Sequence, residues 1–344
     1  MSNYRLPAEW ERQCAVQLTW PHKATDWSPM LDEITAVYIE MAREIARRER
    51  LIIVCNDSPE LLKTLLKKRL DAEMLGNITF AQCATNDTWA RDHGFLTLVA
   101  PTLQPLLLDF RFNGWGDKFP SELDNAINRR LYDGGVVGGI YENHLDFVLE
   151  GGSIESDGRG TVFTTSQCLL APNRNQPLTQ AEIEAQLKRR LRADRIVWLD
   201  HGRLIGDDTD GHIDTIVRLA PGDTLLYIGC EDDRDEQFSD FLALEMQLKA
   251  LRTTDGRPYR LLKLPMTDAV FDDGERLPAT HANFLVINNA VLVPTYNQPA
   301  KDAEAMRIIG KAFPDREIIG IDSRPIIRQH GSIHCCTMQF PEAE

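Results

Sequence analysis

Gly152-Ser153-Ile154-Glu155, Gly211-His212-Ile213-Asp214 and Gly331-Ser332-Ile333-His334 are strings of one look, and Asp92-His93-Gly94 is a fourth. The glycines at 94, 152 and 211 stand 58 and 59 residues apart, and the step from 211 to 331 is 120, about twice that. A period near 60 in a chain of 344 residues predicts about five units arranged around an axis. The segments between the strings fit such units. Ser28-Pro29 reads as a helix cap followed by proline at the first helical position, with Leu31, Ile34, Val37, Met41 and Ile45 at helical spacing behind it. Segments 58–71, 121–132, 178–192, 235–252 and 300–313 also read as amphipathic helices. Between them lie apolar runs at Leu51–Cys55, Phe95–Val99, Leu106–Phe110, Arg195–Leu199, Thr224–Ile228, Asn283–Ile287, Ala290–Val293 and Glu317–Ile321, which read as strands.

This alternation gives an α/β class. No Pro/Gly/Ser-rich linker divides the chain, so residues 1–344 are expected to form one domain. A doubly wound parallel sheet is the competing architecture. It calls for Gly-x-Gly-x-x-Gly after its first strand, and Gly134-Gly135-Val136-Val137-Gly138-Gly139 has the wrong spacing.

A net charge of −14 argues against a nucleic-acid binder, which needs a basic face to neutralise phosphates, and suits a small cationic substrate. No apolar run approaches the ~20 residues of a membrane span, and Met1–Pro7 lacks a signal-peptide core. The seven scattered cysteines read as free thiols of a reducing compartment, which places the protein in the cytoplasm.

Several strings carry groups with chemical potential. Cys335 becomes a nucleophile once it is a thiolate; the competing reading is an inert buried thiol. On a strand, Cys336 would face the other way. His212 and Asp214, read as a His-x-Asp pair on a strand where an acidic loop enters the apolar run Ile213–Leu219, would share a face, with His212 suited to acid–base work. A capped surface loop is the alternative. A calcium loop is rejected, because Gly206 and Val217 occupy the positions that need Asp and Glu. Asn86–Gly94 places Trp89 and Asp92 close together, a wall and an anion for a cation, or else a capping turn. Glu150 ends a buried run before two glycines and needs a partner there, unless it is a strand-terminal turn. The chain has no Cys-x-x-Cys, His-Glu-x-x-His or Walker loop, so neither zinc nor a nucleotide is expected.

The residues resemble the agmatine deiminases and bacterial peptidylarginine deiminases of the guanidino-group-modifying (pentein) superfamily. The shared motifs run from Leu6-Pro7-Ala8-Glu9-Trp10-Glu11 and Leu18-Thr19-Trp20-Pro21-His22 through Asp87–Asp92, Phe112-Asn113-Gly114-Trp115-Gly116, Glu150–Ile154 and Cys168–Asn175. They continue through Gly211–Asp214 and Val293-Pro294-Thr295-Tyr296 to Ile333-His334-Cys335. The resemblance implies a five-bladed α/β propeller of ββαβ-like units with the site on its axis. It implies Cys335 as nucleophile, His212 as general acid/base, and Glu150 as the carboxylate that orients and charges His212. Asp92 and Asp214 would grip the guanidinium, and Trp89 would line the pocket. No cofactor is implied, and the protein would act alone or as a homo-oligomer.

Two departures from well-known agmatine deiminases stand out: Glu155 replaces an expected histidine, and His330-Gly331-Ser332 replaces a glycine run. Both are expected near the pocket, where they bear on the substrate's tail. Hydrolysis of agmatine to N-carbamoylputrescine and ammonia is the leading expectation. Deimination of arginine in peptides is the alternative. A non-catalytic propeller module would have lost the nucleophile or its acid/base partner, and amidino transfer to a second amine stays open.

Overall fold

The short apolar runs pair locally into small sheets that repeat one pattern. The computed structural model describes residues 4–343. Strand β1 (Gln13–Thr19) lies parallel to β2 (Arg50–Cys55), with helix Leu31–Ala46 as the crossover, and β3 (Ile78–Gln82) extends the sheet. Strand β4 (Leu96–Leu98) is antiparallel to β5 (Leu106–Arg111). β5 crosses through helix Ile127–Asp133 to a parallel β6 (Ile140–Val148). The same antiparallel step followed by a parallel, helix-linked step joins β7 (Ile154–Ser156), β8 (Thr161–Thr165) and β9 (Arg195–Leu199). It joins β10 (Val217–Ala220), β11 (Thr224–Gly229) and β12 (Arg260–Pro265). A small hairpin, β13 (Val270–Asp272) and β14 (Glu275–Leu277), comes next. The pattern then recurs in β15 (Leu285–Ile287), β16 (Ala290–Thr295) and β17 (Glu317–Asp322). Finally β18 (Thr337–Pro341) returns to lie antiparallel to β1, pairing Thr337 with Leu18. The first sheet thereby takes its leading strand from the far end of the chain, and all five follow the order ββαβ.

Parallel steps need a long crossover, and a helix supplies it while covering one face of the sheet. Helix Leu31–Ala46 buries Ile34, Val37, Tyr38, Met41, Ala42 and Ile45 on one stripe, against Leu51 and Ile53 of β2. Each large apolar side chain so buried contributes roughly 1.5–3 kcal/mol. Helix Gln180–Leu191 starts at a reciprocal capping box between Thr179 and Glu182.

Some expected boundaries shift. Ser28 does not cap the first helix; Ser28–Met30 is a single 3-10 turn, and the helix starts at Leu31 without a side-chain cap. The 58–71 segment forms a helix only over Pro59–Leu66. The 121–132 segment is helical only from Ile127. Strands β6 and β12 escaped notice because most of their residues remain at least partly accessible, which gives them a polar look, and β1, β3, β7, β8, β13, β14 and β18 were not read as strands either. No helix among the described residues is long and apolar enough to cross a membrane.

One feature of the repeat positions the site. Just before the leading strand of every sheet the chain makes a short irregular turn: Ala90–His93, Gly151–Ser153, Ile213–Thr215, residues 280–284 and residues 333–336. These five turns touch in a closed sequence. Arg91 N donates to Cys335 O at 3.1 Å, and Gly152 N to Asp92 Oδ1 at 3.1 Å. A Cβ on Gly152 would lie 3.2 Å from Asp214 Oδ2. Asn283 Nδ2 reaches Asp214 O at 3.4 Å, and His334 N donates to Asn283 O at 3.1 Å.

Candidate active site

Each turn delivers one or two polar side chains to the place where the five meet. Cys335 arrives from the last turn, Asp92 from the first, Glu150 from the second, His212 and Asp214 from the third. All five are at least 95% buried. His212 and Cys335 reach the site from turns and not from strands: His212 stands just before the 3-10 turn Ile213–Thr215, and Cys335 precedes β18. The expected strand alternation is therefore not what places them. Cys336 nonetheless packs away from Cys335, beside Tyr38 in the core.

The Cys335 Sγ lies 3.9 Å from Asp214 Oδ2 and 3.3 Å from Asn283 Oδ1. Asp92 is held on both oxygens, by Gly152 N at 3.1 Å and by Trp115 Nε1 at 2.9 Å. His212 Nδ1 stands 3.6 Å from Asp92 Oδ1. Asp214 Oδ2 accepts from His334 Nδ1 at 2.6 Å. Glu150 Oε1 accepts from Arg174 Nε at 2.8 Å, and Arg174 also holds Asp210 and Thr209 O. Glu150 makes no direct hydrogen bond to His212. Its carboxylate, the Cys168 thiol and the imidazole lie within 4.8 Å of one another. Buried polar groups are ordinarily paired. Here both nitrogens of His212, Asp214 Oδ1 and Glu150 Oε2 have no hydrogen-bond partner among the described residues.

Electrostatics follow from this crowding. Burial pushes the Asp92 carboxyl up to about 6, though His212 opposes the shift. Burial, then Asp214 and Asp92, raises the Cys335 thiol well above its usual range. His212 loses some proton affinity to burial, but Asp92, Cys168 and Glu150 outweigh this and raise it well above the ordinary imidazole value. Burial alone would raise Asp214, yet the bond to His334 holds it below its usual value.

A cavity of about 200 Å³ opens onto Cys335 and Asp92. Trp89, Trp115 and Phe119 form its aromatic walls, and Asp26, Asp87 and Asp208 add further carboxylates to its lining, Asp26 exposed and the other two half-buried. None of its lining residues is arginine or lysine. His330 and Gly331 border it as expected. Glu155 does not. It is buried against Arg218 and the backbone of Leu219, so the expectation that it meets the substrate's tail is corrected. Glu150–Cys168–His212 and Glu9–Glu155–His334 are close enough to suggest metal ligands. Arginine already occupies the carboxylates of each, however: Arg174 in the first, Arg218 in the second.

Sequence reasoning missed Asn283, and missed Arg174, Cys168 and Trp115 as partners of the site. Asn283 was recoverable: it belongs to the turn hidden inside the doubled step from 211 to 331, where Ala279-Thr280-His281-Ala282-Asn283 contains no glycine to mark the period. Arg174, Cys168 and Trp115 sit in recognisable motifs, but nothing local says which carboxylate or imidazole they meet.

The five turns gather a buried thiol, an imidazole and several carboxylates beside a cavity whose lining residues include no lysine or arginine. A sequence model described as Porphyromonas-type peptidyl-arginine deiminase matches residues 5–341, and the chain belongs to that family. Agmatine deiminase of Pseudomonas aeruginosa (strain LESB58) is 33% identical over 98% of this chain and 95% of its own length. A crystal structure from Porphyromonas gingivalis, provisionally described as an arginine deiminase, is 49% identical with a TM-score of 0.92 over 99% of both chains. That of C. jejuni agmatine deiminase with substrate bound is 36% identical with a TM-score of 0.90, over 99% of this chain and 97% of the other.

Proposed function

We propose that this protein is an agmatine deiminase, a hydrolase of the guanidino C–N bond, and that residues 1–344 form one five-bladed propeller domain with the site on its axis. The recurrent ββαβ order, the closed sequence of turn contacts and the β18–β1 pairing support the propeller. The observation that carries the substrate is the cavity lining: carboxylates and aromatic rings surround a thiol, none of the lining residues is a lysine or arginine that could hold an α-carboxylate, and the nearby Lys118 is held by Asp208 O and Asp210. Asp92 lines the cavity, and Asp214, with His212, lies fully buried behind it beside Cys335; in this reading a guanidinium enters past the sulfur, where both carboxylates can accept its forked N–H donors. Trp89 and Trp115 line the same cavity, where aromatic rings favour a cation. Asp26, Asp87 and Asp208 suit a distal ammonium.

The reaction needs no redox partner. The Cys335 thiolate adds to the guanidinium carbon and forms a C–S bond. His212, as imidazolium, protonates one amino group, the C–N bond breaks, and ammonia leaves. A thiouronium remains on Cys335. Neutral His212 then takes a proton from water, whose oxygen attacks the same carbon, and C–S cleavage releases the ureido product and the thiol. Guanidinium and water go in; a ureido group and ammonium come out. Glu150, fixed by Arg174, supports the cationic form of His212.

The two carboxylates that bind a cation oppose an anion on sulfur, so a bound guanidinium should itself favour the thiolate. In the free protein, neutral iodoacetamide is then expected to alkylate Cys335 slowly at pH 7 and faster only above the ordinary thiol range, while a cationic haloacetamidine labels it at neutral pH. Equal rates for the two reagents at pH 7, read by mass spectrometry, would refute this. On the acid side, Asp92 takes up its proton near pH 6 and loses its attraction for the cation, so kcat/KM is expected to fall as pH drops through that value.

Gly152 is a third point of test. An alanine Cβ there would lie 2.5 Å from His212 Nδ1 and 2.8 Å from Asp92 Oδ1, so Gly152→Ala must displace both groups. Misplacing reacting groups by about an ångström lowers turnover by roughly 100-fold. Steady-state kinetics should show that loss with the fold retained by circular dichroism.

Arginine in peptides is the second reading, favoured by the description of the matching family. Assay of ureido product from agmatine, free arginine and an arginyl peptide separates the two. Turnover of the peptide with none of agmatine would reverse the assignment.

A further inference from the structure

Behind the cavity, on the side of Asp214 away from it, a string of charged groups is sealed from solvent. His334 Nδ1 lies 2.6 Å from Asp214 Oδ2, and His334 Nε2 lies 2.7 Å from Glu9 Oε2. Glu9 Oε2 also accepts from Arg218 Nη2 at 2.6 Å, and its Oε1 from Val286 N at 2.8 Å. Arg218 stacks over Phe284, 4.4 Å from the ring centre, and its Nε meets Glu155, which in turn accepts from Leu219 N at 3.1 Å. Side-chain exposure is 1% for His334 and Arg218, 0% for Asp214, 5% for Glu155 and 9% for Glu9.

Burying this many charges is expensive unless each is paired and held by further hydrogen bonds. The string satisfies that condition and ends on Asp214. It also accounts for two features that the proposed reaction leaves idle. Glu9 belongs to the N-terminal Leu6–Glu11 motif, far from Cys335 in the chain, and Glu155 is one of the two departures noted in the sequence.

We propose that His334 is a positioning residue that fixes the Asp214 carboxylate through Nδ1, with Glu9, Arg218 and Glu155 holding the imidazole from behind. The inference rests on the deiminase reading, in which Asp214 grips the substrate. Asp214 Oδ1 has no hydrogen-bond partner among the described residues, whereas Oδ2 is tied to His334. The carboxylate is thus anchored by one oxygen and free to receive an N–H donor on the other. Because Asp214 Oδ2 also lies 3.9 Å from the Cys335 sulfur, a rotation of this carboxylate would disturb substrate grip and thiol environment together.

Two replacements at His334 separate positioning from simple structural support. An asparagine amide can take the place of the imidazole Nδ1–H towards Asp214, but neither asparagine nor alanine reaches Glu9. Both variants should therefore lose thermal stability to a similar extent. His334→Ala is expected to lose roughly 10- to 100-fold in kcat/KM, the range of a charge-assisted hydrogen bond, with KM for agmatine raised. His334→Asn should recover most of that loss. A smaller effect in the same direction is expected from Glu9→Gln, which keeps the shape of the side chain and removes its charge. The inference is overturned if alanine and asparagine lose activity equally and in step with stability, or if His334→Ala keeps wild-type kinetics. Wild-type protein that turned over neither agmatine nor an arginyl substrate would overturn the deiminase reading, and this inference with it.

Discussion

Cys335→Ala is expected to abolish turnover, with a loss of roughly 10⁴- to 10⁶-fold, as in enzymes whose nucleophile is removed. No other cysteine can substitute. Cys336 is the neighbour in sequence, yet it is fully buried and packs beside Tyr38, away from the cavity. Cys168 lies behind the cavity beside His212 and Glu150, none of the three lining it, and burial raises its thiol. Cys336→Ala should accordingly keep activity within a few-fold and lose about 1–2 kcal/mol of stability through the small void it leaves. Agmatine turnover and a thermal melt of both variants decide the matter. Equal loss of activity from the two would mean that the turn before β18 presents the wrong thiol.

Asp92→Asn carries the next largest effect. Asn is isosteric, so the change isolates charge. Asp92 accepts from two fixed donors, Trp115 Nε1 and Gly152 N, and an amide must turn its NH₂ towards one of them. It is also the nearest acid to His212 and one of the anions around Cys335. Losing it removes attraction for the guanidinium and reduces the support for cationic His212. Removing one member of a buried, hydrogen-bonded charge pair costs about 2–5 kcal/mol, a factor of roughly 30 to several thousand in kcat/KM. Both KM and kcat should worsen. Unchanged kinetics would exclude the role assigned to this carboxylate.

The case of Asn283 shows how far a repeat read from glycines can reach. Three of the five site-bearing turns carry a Gly-x-x-polar string and a fourth ends in glycine, so local chain geometry left a mark at a regular step. The remaining turn reaches the same place without glycine, and its asparagine stayed invisible although it lies 3.3 Å from the proposed nucleophile. Glu155 shows the converse. Its position one residue after Gly-Gly-Ser-Ile suggested the substrate's tail, whereas its carboxylate faces Arg218 beneath the site.

By itself the sequence determined the α/β alternation, the period near 60, the longer helices and about half of the strands, and the identities of Cys335, His212, Glu150, Asp92, Asp214 and Trp89 as groups with chemical potential. These depend on hydrophobic period and short motifs, which act over a few residues. Only the tertiary structure decided that Cys335 and His212 sit on turns, that Asn283, Arg174 and Trp115 complete the surroundings, and that Glu9 reaches Asp214 through His334. Those relations join residues up to 325 positions apart, and such contacts exist only once all five sheets have brought their turns together.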